Sequence, residues 1–202
     1  MPPVRNAAGM TPAVQPGNPL GVLFRDDFSS FSGGWKQVET PQGSLTYLNG
    51  GYQITVNQPY AQIWSTPRLE FKDTRVEVLA YKTGGQDDNI FGIICRKQDT
   101  RQFYALVISS DGYYGIARVQ DTSFQFLGKE AMQPGEAIGQ GAVVNRLRAD
   151  CVGNVLRLFA NGEMLTEVQD AAYSAGEVGL IAGAQGSPGT VILFDDFQVF
   201  KP

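Results

Sequence analysis

The stretch Asn145–Val168, NRLRADCVGNVLRLFANGEMLTEV, decides the fold. Leu147, Ala149 and Cys151 alternate with Arg146, Arg148 and Asp150, and Leu156 and Leu158 alternate with Arg157. A period of two is that of a strand with one face buried. Gly153-Asn154 and Asn161-Gly162 separate the runs with residues that tolerate the positive φ of tight hairpin turns. The stretch is therefore expected to fold as a three-stranded antiparallel meander.

The pattern extends in both directions. From Gly21 onward the chain offers about fourteen short strand-like runs, among them GYQITVN, TRVEVLAYK, NIFGIIC, FYALVIS, YYGIARV and TVILFDDFQVF, and no amphipathic helical period. Further turn signals stand at Asn49-Gly50-Gly51 and Asp111-Gly112. One open sheet of that many strands would leave too much apolar face and edge exposed, so the expected class is all-β, with two packed antiparallel sheets. Residues 1–20 hold five of the eleven prolines and no hydrophobic period, and read as a flexible tail or linker. Residues 21–202 suit one domain.

Composition narrows the function. Lys and Arg total 16 against 20 Asp and Glu, a formal net charge of −4, which gives no general attraction to nucleic acid. No apolar stretch approaches the ~20 residues that span a bilayer, so no membrane insertion is expected of this segment. Histidine is absent, which removes the Ser-His and Cys-His nucleophile pairs and the usual zinc ligand sets. The two cysteines, Cys95 and Cys151, both fall on core-directed strand faces by parity. A disulfide between them is the favoured reading and two free buried thiols the other; the bond would indicate an oxidising compartment.

DDFSS, GGYQI, FGIICR, FYALVISSDGYYGI, NRLRADCVGNVLRLFANGE, GEVGLIAG and FDDFQVF together resemble, in content and order, the bacterial laminin-G-like domains of the concanavalin A-like lectin/glucanase superfamily. The resemblance covers roughly residues 21–200. It implies a jelly-roll sandwich, commonly attached to secreted or surface-anchored bacterial proteins, and a superfamily that holds lectins, glycoside hydrolases and interaction modules. Fold alone does not choose among these.

A glycosidase needs two carboxylates flanking the scissile bond. The Glu-x-Asp-x-x-Glu strand signature of the glucanase branch is missing: Glu70, Asp73 and Glu77 have the wrong spacing and parity. Asp87 and Asp88 sit in a glycine-rich turn, and Ser109-Ser110-Asp111 is a hairpin rather than a nucleophile elbow. The expected function is thus non-catalytic, extracytoplasmic recognition of carbohydrate or cell-envelope glycan, with a carboxylate-based hydrolase and a ligand-free protein-interaction module as alternatives. By strand parity the candidate ligand-binding side chains are Tyr60, Trp64, Arg96, Tyr104, Tyr114, Arg118 and Arg148. Aromatic faces suit the apolar side of a pyranose, and Arg suits hydroxyl or anionic groups; core packing is the competing reading for each. No organic cofactor is expected. If the terminal strands pair, Asp26, Asp27, Asp195 and Asp196 come near one another, either as surface-facing strand ends or around a structural calcium ion.

Overall fold

The computed structural model describes residues 21–99, 101–121 and 123–202; the Pro-rich tail expected over residues 1–20 lies outside them. Two antiparallel sheets form a sandwich. Sheet A runs in the order β15 (Glu163–Gln169), β14 (Val155–Ala160), β13 (Asn145–Val152), β7 (Thr74–Gly84), β17 (Thr190–Phe200), β4 (Gly51–Val56), β3 (Gly43–Leu48) and β2 (Val38–Thr40), with β1 (Val22–Asp26) also paired to β17. Sheet B runs β11 (Ser123–Phe126), β10 (Tyr113–Gln120), β9 (Gln102–Ile108), β8 (Asn89–Asp99), β16 (Gly176–Ala184) and β5 (Gln62–Ser65). Two short strands attach to it, β6 (Glu70–Phe71) on β16 and β12 (Gln133–Pro134) on β10.

The expected meander is β13-β14-β15, joined through Gly153 at φ 57° and through Asn161-Gly162 at φ 53° and 92°. The core between the sheets takes Phe91, Ile93 and Cys95 from β8 and Leu147, Ala149 and Cys151 from β13, the residues that parity selects. Cys95 and Cys151 are bonded, tying sheet B to sheet A.

The terminal strands pair as expected: Arg25 opposes Gln198 and Asp26 opposes Phe197. Along one side of β17, β4 pairs with Thr190–Phe194, and β1 takes over from Phe197. Asp195 and Asp196 occupy the irregularity between them, Asp196 at φ 51°.

The two sheets differ on their outer faces. That of sheet A carries paired charges: Arg146 with Glu77, Arg157 with Glu167, and Arg75 and Arg148 both with Asp150. The outer face of sheet B is apolar. Ile90, Ile94, Phe103, Ala105, Val107 and Ile181 form a second buried cluster there, with Trp64, Phe124, Phe126 and Met132 packed against it. Sheet B is thus apolar on both faces, which is why β8 and β9 read as unbroken apolar runs rather than alternating ones.

Candidate functional site: a groove across the outer face of sheet B

β5 and β16 present Gln62, Trp64 and Ile181 to the outer face, in register with Gly183 and Gly92. At the other side of the sheet, Phe103 of β9 opposes Val119 of β10, which opposes Phe124 of β11. Trp64 and Phe103 are separated by two intervening strands, yet their ring centroids lie 5.2 Å apart. Three strand spacings amount to roughly 14 Å, so the two side chains lean toward each other across the sheet. Ile94 and Ile181, both fully buried, belong to the apolar cluster against which Trp64 packs.

A groove of about 290 Å³ follows this line. Its floor is Phe103, Val119 and Ile181; Trp64 and Phe124 stand at its sides; Gln62, Arg101, Asp121 and Ser123 supply polar groups at the rim. An apolar floor with a few convergent polar groups is the usual make-up of a small-ligand site. Among the described lining residues Asp121 is the single carboxylate.

The seven expected ligand-binding side chains separate into four locations. Trp64 lines the groove, and Tyr60, 73% exposed, stands on the loop one residue before the lining residue Ala61. Tyr104, Tyr114 and Arg118 do share a face, but it is the one turned toward sheet A, which corrects the expectation that they point outward. Tyr104 is fully buried and donates to the Asp170 carboxylate, which Arg118 also contacts at 2.8 Å. Burial and that hydrogen bond push the Tyr104 phenol up to about 12. Tyr114 is half-buried against the inter-sheet core.

Arg96 is a second correction. A register irregularity follows Cys95, and Arg96 has φ 54°, so strict alternation stops there. Its guanidinium is 2% exposed and donates to the carbonyls of Lys72 (3.2 Å) and Tyr173 (3.0 Å) and to Asp73 (3.3 Å). Burial lowers its pKa, and Asp73 opposes the shift. Arg148 lies on the outer face of sheet A, away from the groove; it chelates Asp150 and stacks 4.2 Å over the Phe159 ring.

The four aspartates at the terminal strands have separate protein partners. Asp26 accepts from Phe28 N and Trp35 Nε1, Asp27 from Ser29 N and Oγ, Asp195 from Asp196 N, and Asp196 faces Arg25 at 3.8 Å. Among the described residues no three His, Cys, Asp or Glu side chains are grouped to hold a metal ion.

Asp87 is ion-paired with Lys82. Asp88 and Asp111 line a separate recess of about 220 Å³ beside Ser109 and Tyr113. Asp73 and Glu77 are engaged by Arg96 and Arg146, and the strand that carries Glu77 belongs to sheet A, not to the groove. Phe103, Phe124, Gln62, Arg101, Asp121 and Ser123 went unrecognised in the sequence. The available signal was the pair of continuous apolar runs, Ile90–Cys95 and Phe103–Ile108, which imply a second covered face on the same strands.

No protein-family model matches the chain, and no curated protein matches it. Solved structures do. The carbohydrate-binding module CBM66 from Bacillus subtilis superposes with a TM-score of 0.68 at 13% identity, covering 83% of this chain and 96% of that one. A Bacillus licheniformis beta-glucanase gives 0.63 at 9%, covering 89% and 98%. The exoplasmic/lumenal domain of VIP36, in a calcium- and glycan-bound form, gives 0.58 at 11%, covering 84% of each. At these identities the likeness establishes the fold: a concanavalin A-like jelly-roll sandwich.

Proposed function

We propose that this domain is a non-catalytic carbohydrate-binding module acting outside the cytoplasm, and that its glycan lies in the groove across sheet B. The observation that carries the reading is Trp64, half-buried at the side of the groove and packed on the buried Phe103 ring on the sheet face turned away from the partner sheet, with Gln62, Arg101, Asp121 and Ser123 at the rim. The fold is shared with a named carbohydrate-binding module and a glycan-bound domain, which supports the ligand class. The Cys95–Cys151 bond supports an oxidising compartment. The order of the sequence motifs, which resembles that of the bacterial laminin-G-like domains, supports placing the domain in that group.

The arginines first considered for recognition are committed elsewhere, Arg96 and Arg118 to internal partners and Arg148 to Asp150. Those groove-lining groups named above carry one cation, Arg101, and one anion, Asp121. This balance favours a neutral glycan over an anionic polymer.

A glycan array with the purified domain, followed by calorimetry on the strongest series, tests the reading. Trp64→Ala should weaken binding roughly 30-fold or more, since truncating a central aromatic anchor costs on the order of 2 kcal/mol or above. Array silence with all neutral glycans, or an unchanged affinity in a Trp64→Ala variant that melts as a folded protein, would overturn it. Release of reducing ends from the bound polysaccharide would instead favour the hydrolase alternative and direct attention to Asp88 and Asp111.

A further inference from the structure

Trp64 and Gln62 border two depressions, not one. Beyond the groove, they also line a cleft of about 330 Å³ on the open side of the sandwich, between the edge strand β5 of sheet B and the edge pair β2–β3 of sheet A. Val38, Leu45 and Ile63 form its apolar surface, and Lys36, Thr40 and Gln42 its polar margin. Leu45 is buried, whereas Lys36, Thr40 and Gln42 are exposed.

Gly43 forms the base of this cleft. A Cβ there, at φ 153°, would lie 2.0 Å from the Thr55 carbonyl oxygen and 2.5 Å from the Ile63 side chain. Ile63 therefore packs directly over the glycine backbone, letting the edges of the two sheets draw together beneath Trp64.

From these contacts we infer that the edge cleft is a second binding segment for the same glycan: a neutral polysaccharide chain leaves the groove, passes over Trp64 and turns around the β5 edge into the cleft. This rests on the carbohydrate-binding reading of the groove. Three features favour such an occupant. The two depressions adjoin, with Gln62 and Trp64 lining both. The cleft repeats the chemistry of the groove, with apolar surface beside uncharged hydrogen-bonding groups and a single cation, Lys36. Each space alone is at the lower end of the ~300–1,000 Å³ typical of small-ligand sites, while the two joined fall well within it. The lining of the groove runs from β5 to β11, about five strand spacings or ~24 Å of sheet; the cleft extends the path toward sheet A.

The test is the dependence of affinity on ligand length. β-Glucan oligosaccharides of increasing length, together with a ladder cut from the polysaccharide that gives the strongest array signal, are titrated against the intact domain and against Lys36→Ala/Gln42→Ala. Both replaced side chains are exposed, so the variant is expected to fold, as its melting curve would verify. The native domain should gain about tenfold in affinity between the length that fills the groove and longer members. The double variant should lose that gain and bind short members unchanged; Trp64→Ala should weaken both. Affinity that stops rising once the groove is filled, or a length-dependent gain that survives in the double variant, would overturn the second segment and leave the groove reading standing. Absence of binding by any ladder would overturn both.

Discussion

Opening the Cys95–Cys151 link should lower stability by about 4 kcal/mol. The two residues are 56 apart in sequence, and in the chain-entropy account a cross-link of that span removes roughly 4 kcal/mol of freedom from the unfolded ensemble. The bond joins β8 of one sheet to β13 of the other, so in the unfolded chain it retains proximity that otherwise has to be re-established by closing the loop through β9–β12. For a domain of this size 1 kcal/mol corresponds to about 2–4 °C, which places the shift at roughly 8–16 °C. With a urea m-value near 2 kcal/mol/M, the urea midpoint should fall by about 2 M. The m-value itself should rise, because the uncrosslinked chain exposes more surface. The cleanest comparison is the native chain with and without reductant, since both sulfur atoms stay in the core. The Cys95→Ala/Cys151→Ala variant should be somewhat worse, because both positions are fully buried and the deleted sulfurs leave a void. A reduced protein melting within about 2 °C of the oxidised one, or an intact mass unchanged by reduction, would refute the reasoning.

Other consequences are as direct. Arg96→Met should leave the carbonyls of Lys72 and Tyr173 without their buried donor and cost about 2–4 kcal/mol in urea unfolding, while the folded variant keeps its glycan affinity. Alkaline stability should depend on Tyr104, whose phenol titrates at about 12 in the native state against ~10 when unfolded. The native form holds this proton more tightly, so the contribution is complete below about pH 10 and is lost as pH rises toward 12. Tyr104→Phe should flatten that part of the stability–pH curve, with a residual slope from Tyr52, whose phenol burial also raises. Gly43→Ala, forcing a Cβ against the Thr55 carbonyl, should lower stability by about 2 kcal/mol or more in the same urea assay.

Strand alternation located the elements and the core of sheet A well, because that sheet has one apolar and one charged face: in β13, Leu147, Ala149 and Cys151 point inward and Arg148 outward. The three strands it did not resolve, β2, β6 and β12, have three, two and two residues, too short for a period to register. Sheet B defeats the same logic. With Phe103 on one face and Tyr104 on the other, both apolar bodies and both buried, alternation assigns them to opposite sides without telling which side meets the partner sheet. Assigning Tyr104, and by the parity of their own strand Tyr114 and Arg118, to the outer face inverted both β9 and β10. Arg96 failed for a different reason: a backbone irregularity at positive φ turns its side chain to internal carbonyls, which no side-chain pattern records.

The same two-sided apolarity is the strongest local argument for the site. A sandwich needs one covered apolar face per sheet, and sheet A has only that, its outer face being a layer of ion pairs. Sheet B instead keeps Ile90, Ile94, Ala105, Val107 and Ile181 on its outer face and screens them with Trp64, Phe103, Phe124, Phe126 and Met132. Fold stability supplies no reason for that second apolar layer, since a polar outer face would serve an antiparallel sheet as well. Exposed apolar grooves rimmed by polar groups mark interaction sites, and here the rim and the layer coincide along one line from Phe124 to Trp64. If the layer served packing alone, Trp64→Ala would reduce stability and leave glycan affinity untouched; if it serves recognition, affinity should fall by far more than the loss of folded protein can account for.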